Sequence, residues 1–380
     1  MEYVRLKDIG QIITGNTPPT SKPEYYGDYM PFIKATDIPI GVKCTLVTEQ
    51  SYSKLAAEKY KKSLVPKGST CVVTIGSIGK KMTYAHTDLF VNQAINAIVP
   101  KDLYDNEYIF YNVRCSVLPQ LKKLDSGTTS GRENISKTSF SSIRIPVIKD
   151  KNVQRRIGVI LSTYDSLIEN NTKSIRLLEK MAENLYKEWF VRFRFPGYEK
   201  VEMENGLPKG WKYVNFGKLS PIVTGKKDAN FASPNGKYKF FTCSKADLMA
   251  DSYSFDCFAI ILAGNGDLNV KLYKGQFEAY QRTYVLTPYD ISHIYISYYT
   301  IQSELDRLLV GAAGAVIKFL TKGMIEKIKI VVPDQSLLRK FNIMLDANFK
   351  IRQNLIAQNT LLARQRDLLL PRLMSGKLEV

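Results

Sequence analysis

Catalysis needs matched groups, and this sequence offers few. There are only two histidines, His86 and His293. A zinc site would need an HExxH or a Cys/His spacing, and neither histidine has one. Each reads as an ordinary surface or strand-end residue. Five cysteines (Cys44, Cys71, Cys115, Cys243 and Cys257) are scattered with no CxxC pair. That is the pattern of reduced thiols, not of a disulfide framework. Three stretches approach ligand loops. ILAGNGD at 261–267 has a strand-then-glycine look suited to adenosylmethionine or a dinucleotide, but no helix with an acidic residue follows at the expected distance. GSIGKK at 76–81 has its glycines too close together for a phosphate loop. NTPPT at 16–20 matches an amino-methyltransferase motif only if residue order is ignored. No acidic pair is followed by a nuclease-like Glu-x-Lys. The expectation is a non-catalytic chain with no metal site and no cofactor of its own.

Charge is the stronger signal. Lys and Arg number 54 against 36 Asp and Glu, a formal net charge of +18. A bias of this size favours polyanions such as DNA, RNA or an anionic membrane. An amphipathic membrane helix would gather its lysines on one face, whereas these are spread along the whole chain, so nucleic acid leads. Apolar residues make up 44%, enough for real cores. Runs such as FAIILAG fall far short of the roughly 20 residues that span a bilayer. MEYVRLKDIG has no stretch of signal-peptide length, so a cytoplasmic location is expected.

The elements that must carry such a surface occur twice. VRLKDIGQIITG at 4–15 aligns without a gap on VNFGKLSPIVTG at 214–225. VTIGSIG at 73–79 aligns on ILAGNGD at 261–267, and NQAINAIVPKD at 92–102 on YQRTYVLTPYD at 280–290. KTSFSSIRI at 137–145 faces KGMIEKIKI at 322–330, and LSTYDSLIEN at 161–170 faces LDANFKIRQN at 345–354. The spacing drifts, as insertions between shared elements require. A unit of about 190 residues is a duplicated domain, because solenoid repeats run to about 20–50.

Each copy has two parts. The first is rich in short apolar alternations such as CVVTIG, AINAIV and SIRIPV, bounded by turn residues. Helices are expected around 102–122 and again near 291–310, which makes an α+β globule. The second part is a long helix. From Val153 to Phe193 the apolar positions step by three and four, a heptad seam, and Pro196 and Gly197 stop it. Its counterpart spans about 336–374, where Pro371 is expected to bend or fray the last turn. A long helix with one apolar stripe must bury it, and the economical partner is the other long helix, run antiparallel. Leu161, Ile168, Ile175, Leu178 and Leu185 are expected to pair with Ile351, Leu355, Leu362 and Leu369; Asn171 and Asn359 read equally as register-setting polar positions in the seam and as surface asparagines. The expected division is 1–150 globule, 151–195 helix, 196–211 linker, 212–334 globule and 335–380 helix.

This plan resembles the specificity subunit of type I restriction–modification systems. LDSGTTSGRENISKTSFSSIRIPVI at 124–148, then NVQRRIGVILSTYDSLIENN at 152–171, carry the resemblance. GLPKGW at 206–211 and the closing LLLPRLMSGKLEV also match the family's wording. The second copy departs at 309–321, where LVGAAGAVIKFLT lacks the Arg-x-Asn-Ile-Ser phrase. The resemblance implies two target-recognition domains, each reading one half of a bipartite double-stranded DNA sequence. It implies that the paired helices set the spacer and dock two modification subunits, which methylate adenine with S-adenosylmethionine. Restriction subunits would use ATP and Mg; this chain would do none of that chemistry.

Affinity should then come from Lys and Arg against phosphates, and specificity from loop side chains at base edges. The candidates in the first domain are Lys34, Thr36, Lys80, Lys81, Thr128, Thr129 and Arg132. In the second they are Lys226, Lys227, Thr242, Lys245, Asn265, Arg282 and Lys318. Competing readings are a specificity module of a fused restriction–modification system, an RNA-binding or scaffold protein, and a methyltransferase or nuclease with unrecognised motifs.

Overall fold

A computed structural model describes residues 1–125, 133–311 and 319–380. The chain divides into two compact units. Unit 1 is Met1–Lys173 with Leu355–Val380, and unit 2 is Ser174–Asn354. Each unit therefore holds one globule, part of its own long helix, and part of the other copy's.

In unit 1, β1 (Glu2–Arg5) pairs antiparallel with β10 (Arg144–Val147). A four-stranded sheet has the order β2 (Gly10–Thr14), β9 (Ile95–Pro100), β6 (Thr70–Val73), β7 (Met82–Tyr84). A second has the order β3 (Tyr26–Gly27), β5 (Gln50–Tyr52), β4 (Met30–Ile33), β8 (Phe90–Val91). The pair β4 and β8 is parallel. Core side chains such as Val72, Ile98, Tyr108, Phe110 and Ile157 join the sheet to the helix Asn106–Asn112 and to the start of the first long helix.

Unit 2 opens with a two-residue hairpin, β11 (Met203–Glu204) and β12 (Leu207–Pro208). Asn205 and Gly206 turn it with φ of 51° and 78°, the left-handed conformation an Asn-Gly turn supplies. The segment read as a linker is thus folded, and Trp211 stacks on Phe195 at 5.0 Å. Next, β13 (Lys212–Asn215) pairs with β20 (Lys329–Val332), as β1 pairs with β10. One six-stranded sheet follows, in the order β14 (Ile222–Thr224), β19 (Thr283–Leu286), β17 (Phe255–Ala263), β18 (Val270–Ala279), β15 (Tyr238–Phe241), β16 (Leu248–Ala250). Here β15 and β18 are the parallel pair. Apart from β3, which has no counterpart among the described residues of unit 2, the connectivity is that of unit 1, with β18 doing the work of β7 and β8 together.

The registers correct one sequence alignment. Val73 lies opposite Ile95, and Ala263 opposite Thr283. Since Ile95 and Thr283 are equivalent, Thr74 corresponds to Gly264, not Gly76 to Gly264. The error is two residues because alternation has period two, and a two-residue slip keeps every side chain on its face.

The first long helix is Lys151–Tyr186, 36 residues, continued by a π-helical turn at Lys187–Val191. The second is Gln335–Met374, 40 residues, and it runs on through Pro371 without ending there. Aspartates cap both starts. The Asp150 carboxylate accepts from the Asn152 N–H at 2.7 Å, and that of Asp334 from the Leu337 N–H at 3.0 Å.

Within each unit the helices pair antiparallel. In unit 1, Asn171 Nδ2 donates to Asn359 Oδ1 at 3.0 Å, and Asn359 Nδ2 to Thr172 Oγ1 at 3.3 Å. Further along, Arg366 forms an ion pair with Asp165. The two side chains are 3% and 4% exposed. The Tyr111 hydroxyl donates to the second Asp165 oxygen at 2.5 Å. Burial, with Asp165 beside it, pushes the Tyr111 phenol far up, so it stays a donor. Burial lowers the Arg366 pKa, but Asp367 and Asp165 more than compensate and leave it raised. In unit 2, Asn348 Nδ2 donates to the Leu178 carbonyl at 2.9 Å and Arg352 meets Glu179 at 2.6 Å. Phe341 packs there against Trp189 and Phe190, with ring centroids 5.8 Å and 4.8 Å away.

Of the expected seam residues, Leu161 is fully buried. Ile168, Ile175, Leu178, Leu185, Leu355, Leu362 and Leu369 are half-buried. Ile351 is 49% exposed, and the inward positions beside it go to Asn348 and Arg352. His293, read as a surface or strand-end residue, is buried at 7% exposure, with Nδ1 3.5 Å from Asp290.

Candidate nucleic-acid interface

In both units the loops at one end of the sheet gather around one short turn. In unit 1 it is Asn92–Gln93–Ala94, between β8 and β9. The Asn92 N–H donates to the Ile33 carbonyl at 3.0 Å, fixing the turn to the end of β4. The Ile95 N–H closes it on the Asn92 carbonyl at 3.1 Å. The Gly15 N–H reaches the Ile95 carbonyl at 3.1 Å, and the Thr74 N–H the Ala94 carbonyl at 2.8 Å. Unit 2 repeats all four bonds around Tyr280–Gln281–Arg282. Tyr280 donates to Phe241, Thr283 to Tyr280, Gly225 to Thr283 and Gly264 to Arg282, at 2.8–3.0 Å.

The glycine that closes both copies of the repeated opening stretch has its reason here. A Cβ on Gly15 would lie 2.2 Å from the Asn92 carbonyl oxygen, and one on Gly225 2.0 Å from that of Ala279. Such distances require the absence of a side chain.

Around the unit 1 turn, Lys81 Nζ donates to the Ala35 carbonyl at 3.0 Å, joining the loop after β4 to the turn between β6 and β7. That brings Lys34, Thr36, Lys80 and Lys81 together. Thr36 and Lys80 are exposed. Lys34 is paired with Glu49 at 2.7 Å and so is partly neutralised. NTPPT, unassigned from sequence alone, lies in the same cluster. The Asn16 N–H bonds the Val91 carbonyl, and Thr17 donates to the Gln93 side chain. Tyr52 and Tyr26 fasten this loop through the Asn16 and Pro18 carbonyls at 2.8 Å and 2.7 Å.

In unit 2, Asn265 and Arg282 share one open cleft of about 460 Å³, also lined by Thr224, Gln281, Tyr284 and Phe319. Arg282 and Gln281 are exposed, and Phe319 is 62% exposed. Lys226 is exposed beside Lys227, whose ammonium sits 4.3 Å over the Phe231 ring and whose carbonyl accepts from the Gln281 N–H at 2.9 Å. Thr242 Oγ1 accepts from the Ser244 N–H at 3.3 Å, and Lys245 is exposed on the same loop. Lys239 and Lys271 clamp Asp247 at 2.7 Å and 2.8 Å. Burial would raise that carboxyl, but the two ammonium groups hold it below the usual range, so both lysines are engaged internally. Thr128, Thr129, Arg132 and Lys318 lie outside the described residues. The position left out of the sequence candidates is the turn's central glutamine, although the alignment of 92–102 on 280–290 already held it.

The arrangement offers hydrogen-bonding and cationic groups on a rigid frame. Among the described residues, no helix is long and apolar enough to cross a membrane, and no group of three or more His, Cys, Asp or Glu could hold a metal.

Residues 1–180 match the family model described as type I restriction modification DNA specificity domain. A type I restriction enzyme specificity subunit of Methanocaldococcus jannaschii, MjaIX, is 26% identical, over 99% of this chain and 93% of its own length. The EcoDI specificity subunit of Escherichia coli is 35% identical over 45% of this chain and 39% of its own. A crystal structure of a type I restriction–modification S subunit from M. genitalium aligns over 98% of this chain and 95% of its own. It does so with TM-score 0.60 at 16% identity, a likeness of fold.

Proposed function

We propose that the chain is a specificity subunit of the type I restriction–modification family and that its two halves each read one part of a bipartite DNA target. The family is the DNA specificity subunit of these systems and is non-catalytic. The observation that carries the proposal is the doubled loop cluster: the same four backbone bonds, in both units, hold up different side chains. Shared bonds suit a common docking geometry; unlike side chains suit two unlike half-sites. The net charge of +18 supports phosphate contacts by Lys and Arg.

In this reading 1–150 and 212–334 are the reading domains, 151–195 and 335–380 the helices, and 196–211 the connection. Lys80, Thr36, Lys226, Lys245 and Arg282 are exposed and suited to contact DNA directly. Lys34 and Lys81 shape their loops as well as contributing charge. The paired helices set the spacer and dock two modification subunits, which bring S-adenosylmethionine; restriction subunits bring ATP and Mg. The complex works in the cytoplasm.

The test is methylation-site sequencing of the host genome with and without the gene, then with residues 1–147 exchanged for those of another family member. Loss of one two-part motif on deletion, and a change in one half only on exchange, is expected. Both halves changing together would overturn the two-reader scheme. Inserting four residues near Lys173 should change the unread spacer and leave both halves alone, since each helical residue adds about 1.5 Å and 100°.

A further inference from the structure

We infer that residues 53–69 of unit 1 form a second DNA contact, a basic shelf that holds the sugar–phosphate backbone beside the half-site read by unit 1, and that unit 2 has no equivalent. The inference rests on the two-reader proposal and adds a sequence-independent hold to one half of it. It begins from a difference in length. Residues 53–69 join β5 to β6, whereas residues 251–254 join the corresponding strands β16 and β17. The longer connection carries five lysines and one acidic residue; the shorter, Asp-Ser-Tyr-Ser, carries no cation. The longer one folds as a helix, Lys54–Lys59, and a tight turn at Lys61–Ser63. Ser53 starts the helix, its hydroxyl oxygen accepting from the Ala56 N–H at 3.3 Å. The helix end and the turn set Lys59, Lys61 and Lys62 along an open groove of about 700 Å³, which Asn16 also lines. All three lysines are exposed.

The groove adjoins the loop cluster and is fastened to it. Asn16 belongs to both. Its N–H bonds the Val91 carbonyl beside the turn at 92–94, and its carbonyl accepts from the Tyr52 hydroxyl at 2.8 Å. Tyr60, between the lysines, packs on Tyr52 and on Tyr25, with ring centroids 5.9 Å away in each case. Lys59 donates to the Tyr25 hydroxyl at 2.5 Å and lies 4.6 Å over that ring, so its stem is ordered. Lys34 and Lys43 are paired with Glu49 and Glu107, whereas among the described residues Lys61 and Lys62 have no acidic partner. A helix C-terminus favours a neighbouring cation through its dipole, but Lys61 and Lys62 stand beyond the helix end. Adjacent unpaired cations repel each other, and a polyanion laid across them removes that cost. Lysine is a point charge on a flexible stem, suited to phosphate oxygens and indifferent to base identity. A strand that reaches the loop cluster at Asn16 therefore meets phosphate ligands next to it, on the unit 1 side only.

The experiment uses the chain co-purified with its native subunits and duplexes carrying the two-part motif found by methylation-site sequencing. Affinity is measured across a salt series, and hydroxyl-radical footprints are taken on the same duplexes. Lys61→Gln with Lys62→Gln should weaken binding by about 10- to 100-fold near 0.1 M salt, for cognate and non-cognate duplexes alike. The slope of log affinity against log salt should become shallower by about 2. Wild type should protect backbone on one flank of the half-site that the exchange of residues 1–147 assigns to unit 1. The double variant should lose that protection alone. Lys61→Arg with Lys62→Arg keeps both charges and should keep slope and footprint. A glutamine variant with the wild-type slope and footprint would overturn the inference while leaving two-part reading intact. Loss of the co-purifying subunits with an unchanged slope would also overturn it, since the lysines would then be holding an acidic protein surface. A wild-type complex with no two-part motif would overturn both.

Discussion

The two units use one backbone plan and fasten it with different chemistry. By the repeat, Asp165 of unit 1 corresponds to Phe349 of unit 2, and Arg366 of unit 1 to Ala182 of unit 2. Where unit 1 buries an ion pair under Tyr111, unit 2 buries Ala182 and Phe349 in a core with Tyr186, Trp189 and Phe341. The sheets diverge as well. Unit 1 breaks its strands into two four-stranded sheets, while unit 2 keeps one sheet of six. What has stayed constant is the set of backbone bonds around the turns at 92–94 and 280–282. Duplicated frames are held in common by hydrogen bonds that do not depend on side-chain identity. The side chains were then free to diverge in the seam and at the exposed ends.

The comparison breaks most visibly at the ion pair. Arg366→Ala should destabilise unit 1 by about 3–5 kcal/mol, because Asp165 is left buried without a cation. Replacing the whole polar group with apolar residues, Asp165→Leu and Arg366→Met together with Tyr111→Phe so that no buried hydroxyl loses its acceptor, should be neutral or stabilising by up to about 4 kcal/mol, making the unit 1 seam resemble that of unit 2. Urea denaturation of the full chain measures both. A single variant as stable as wild type would mean that water reaches the site and that the two seams are energetically alike.

The shared frame predicts equality where the seam predicts difference. Gly15→Ala and Gly225→Ala each drive a methyl into a backbone carbonyl at 2.2 Å and 2.0 Å. Each should cost about 1–3 kcal/mol, the range for forced overpacking, and by similar amounts. The check is thermal melting of each variant beside the wild type. One glycine tolerating alanine would show that the two turns are not held alike.

Those glycines also mark how far the sequence could be read. The repeat, the strand-rich globules and the long helices were legible because hydrophobic period and turn residues are local signals. The alignment of 73–79 on 261–267 slipped by two because alternation cannot detect an even shift. The polar seam was less legible. A search for apolar steps put Ile351 inward, while Asn348, Arg352 and Arg366 took inward positions whose partners, Leu178, Glu179 and Asp165, lie far away in sequence. The buried state of His293 was hidden for the same reason: nothing within its own segment reports the helix from 335 onward that covers that region, where Asn342 donates to the Ser292 carbonyl at 2.7 Å. Exposed candidates such as Lys80 and Arg282 could be chosen from sequence only by charge and loop position. Whether a lysine is already engaged, as Lys34 is with Glu49, is a tertiary fact.

The smallest contrast lies at the helix starts. Asp334 Oδ1 accepts from the Ser336 hydroxyl at 2.6 Å and the Leu337 N–H at 3.0 Å, while among the described residues the side-chain bond of Asp150 is to the Asn152 N–H alone. Losing a cap costs about 0.5–2 kcal/mol, so Asp334→Ala should sit toward the upper end and Asp150→Ala toward the lower. Partial burial raises the Asp334 carboxyl, but its bonds to Ser336 and Leu337 outweigh that and hold it below its ordinary value of 3.8. A depressed carboxyl stabilises the fold above the unfolded pKa and loses that contribution as pH falls through the folded one. The gap between wild type and Asp334→Ala should therefore be constant near neutrality and close as pH drops below about 3.8. Urea midpoints measured down the acid range test this. A gap that persists at the acid end would mean that Asp334 acts through its shape at the helix start and not through its charge.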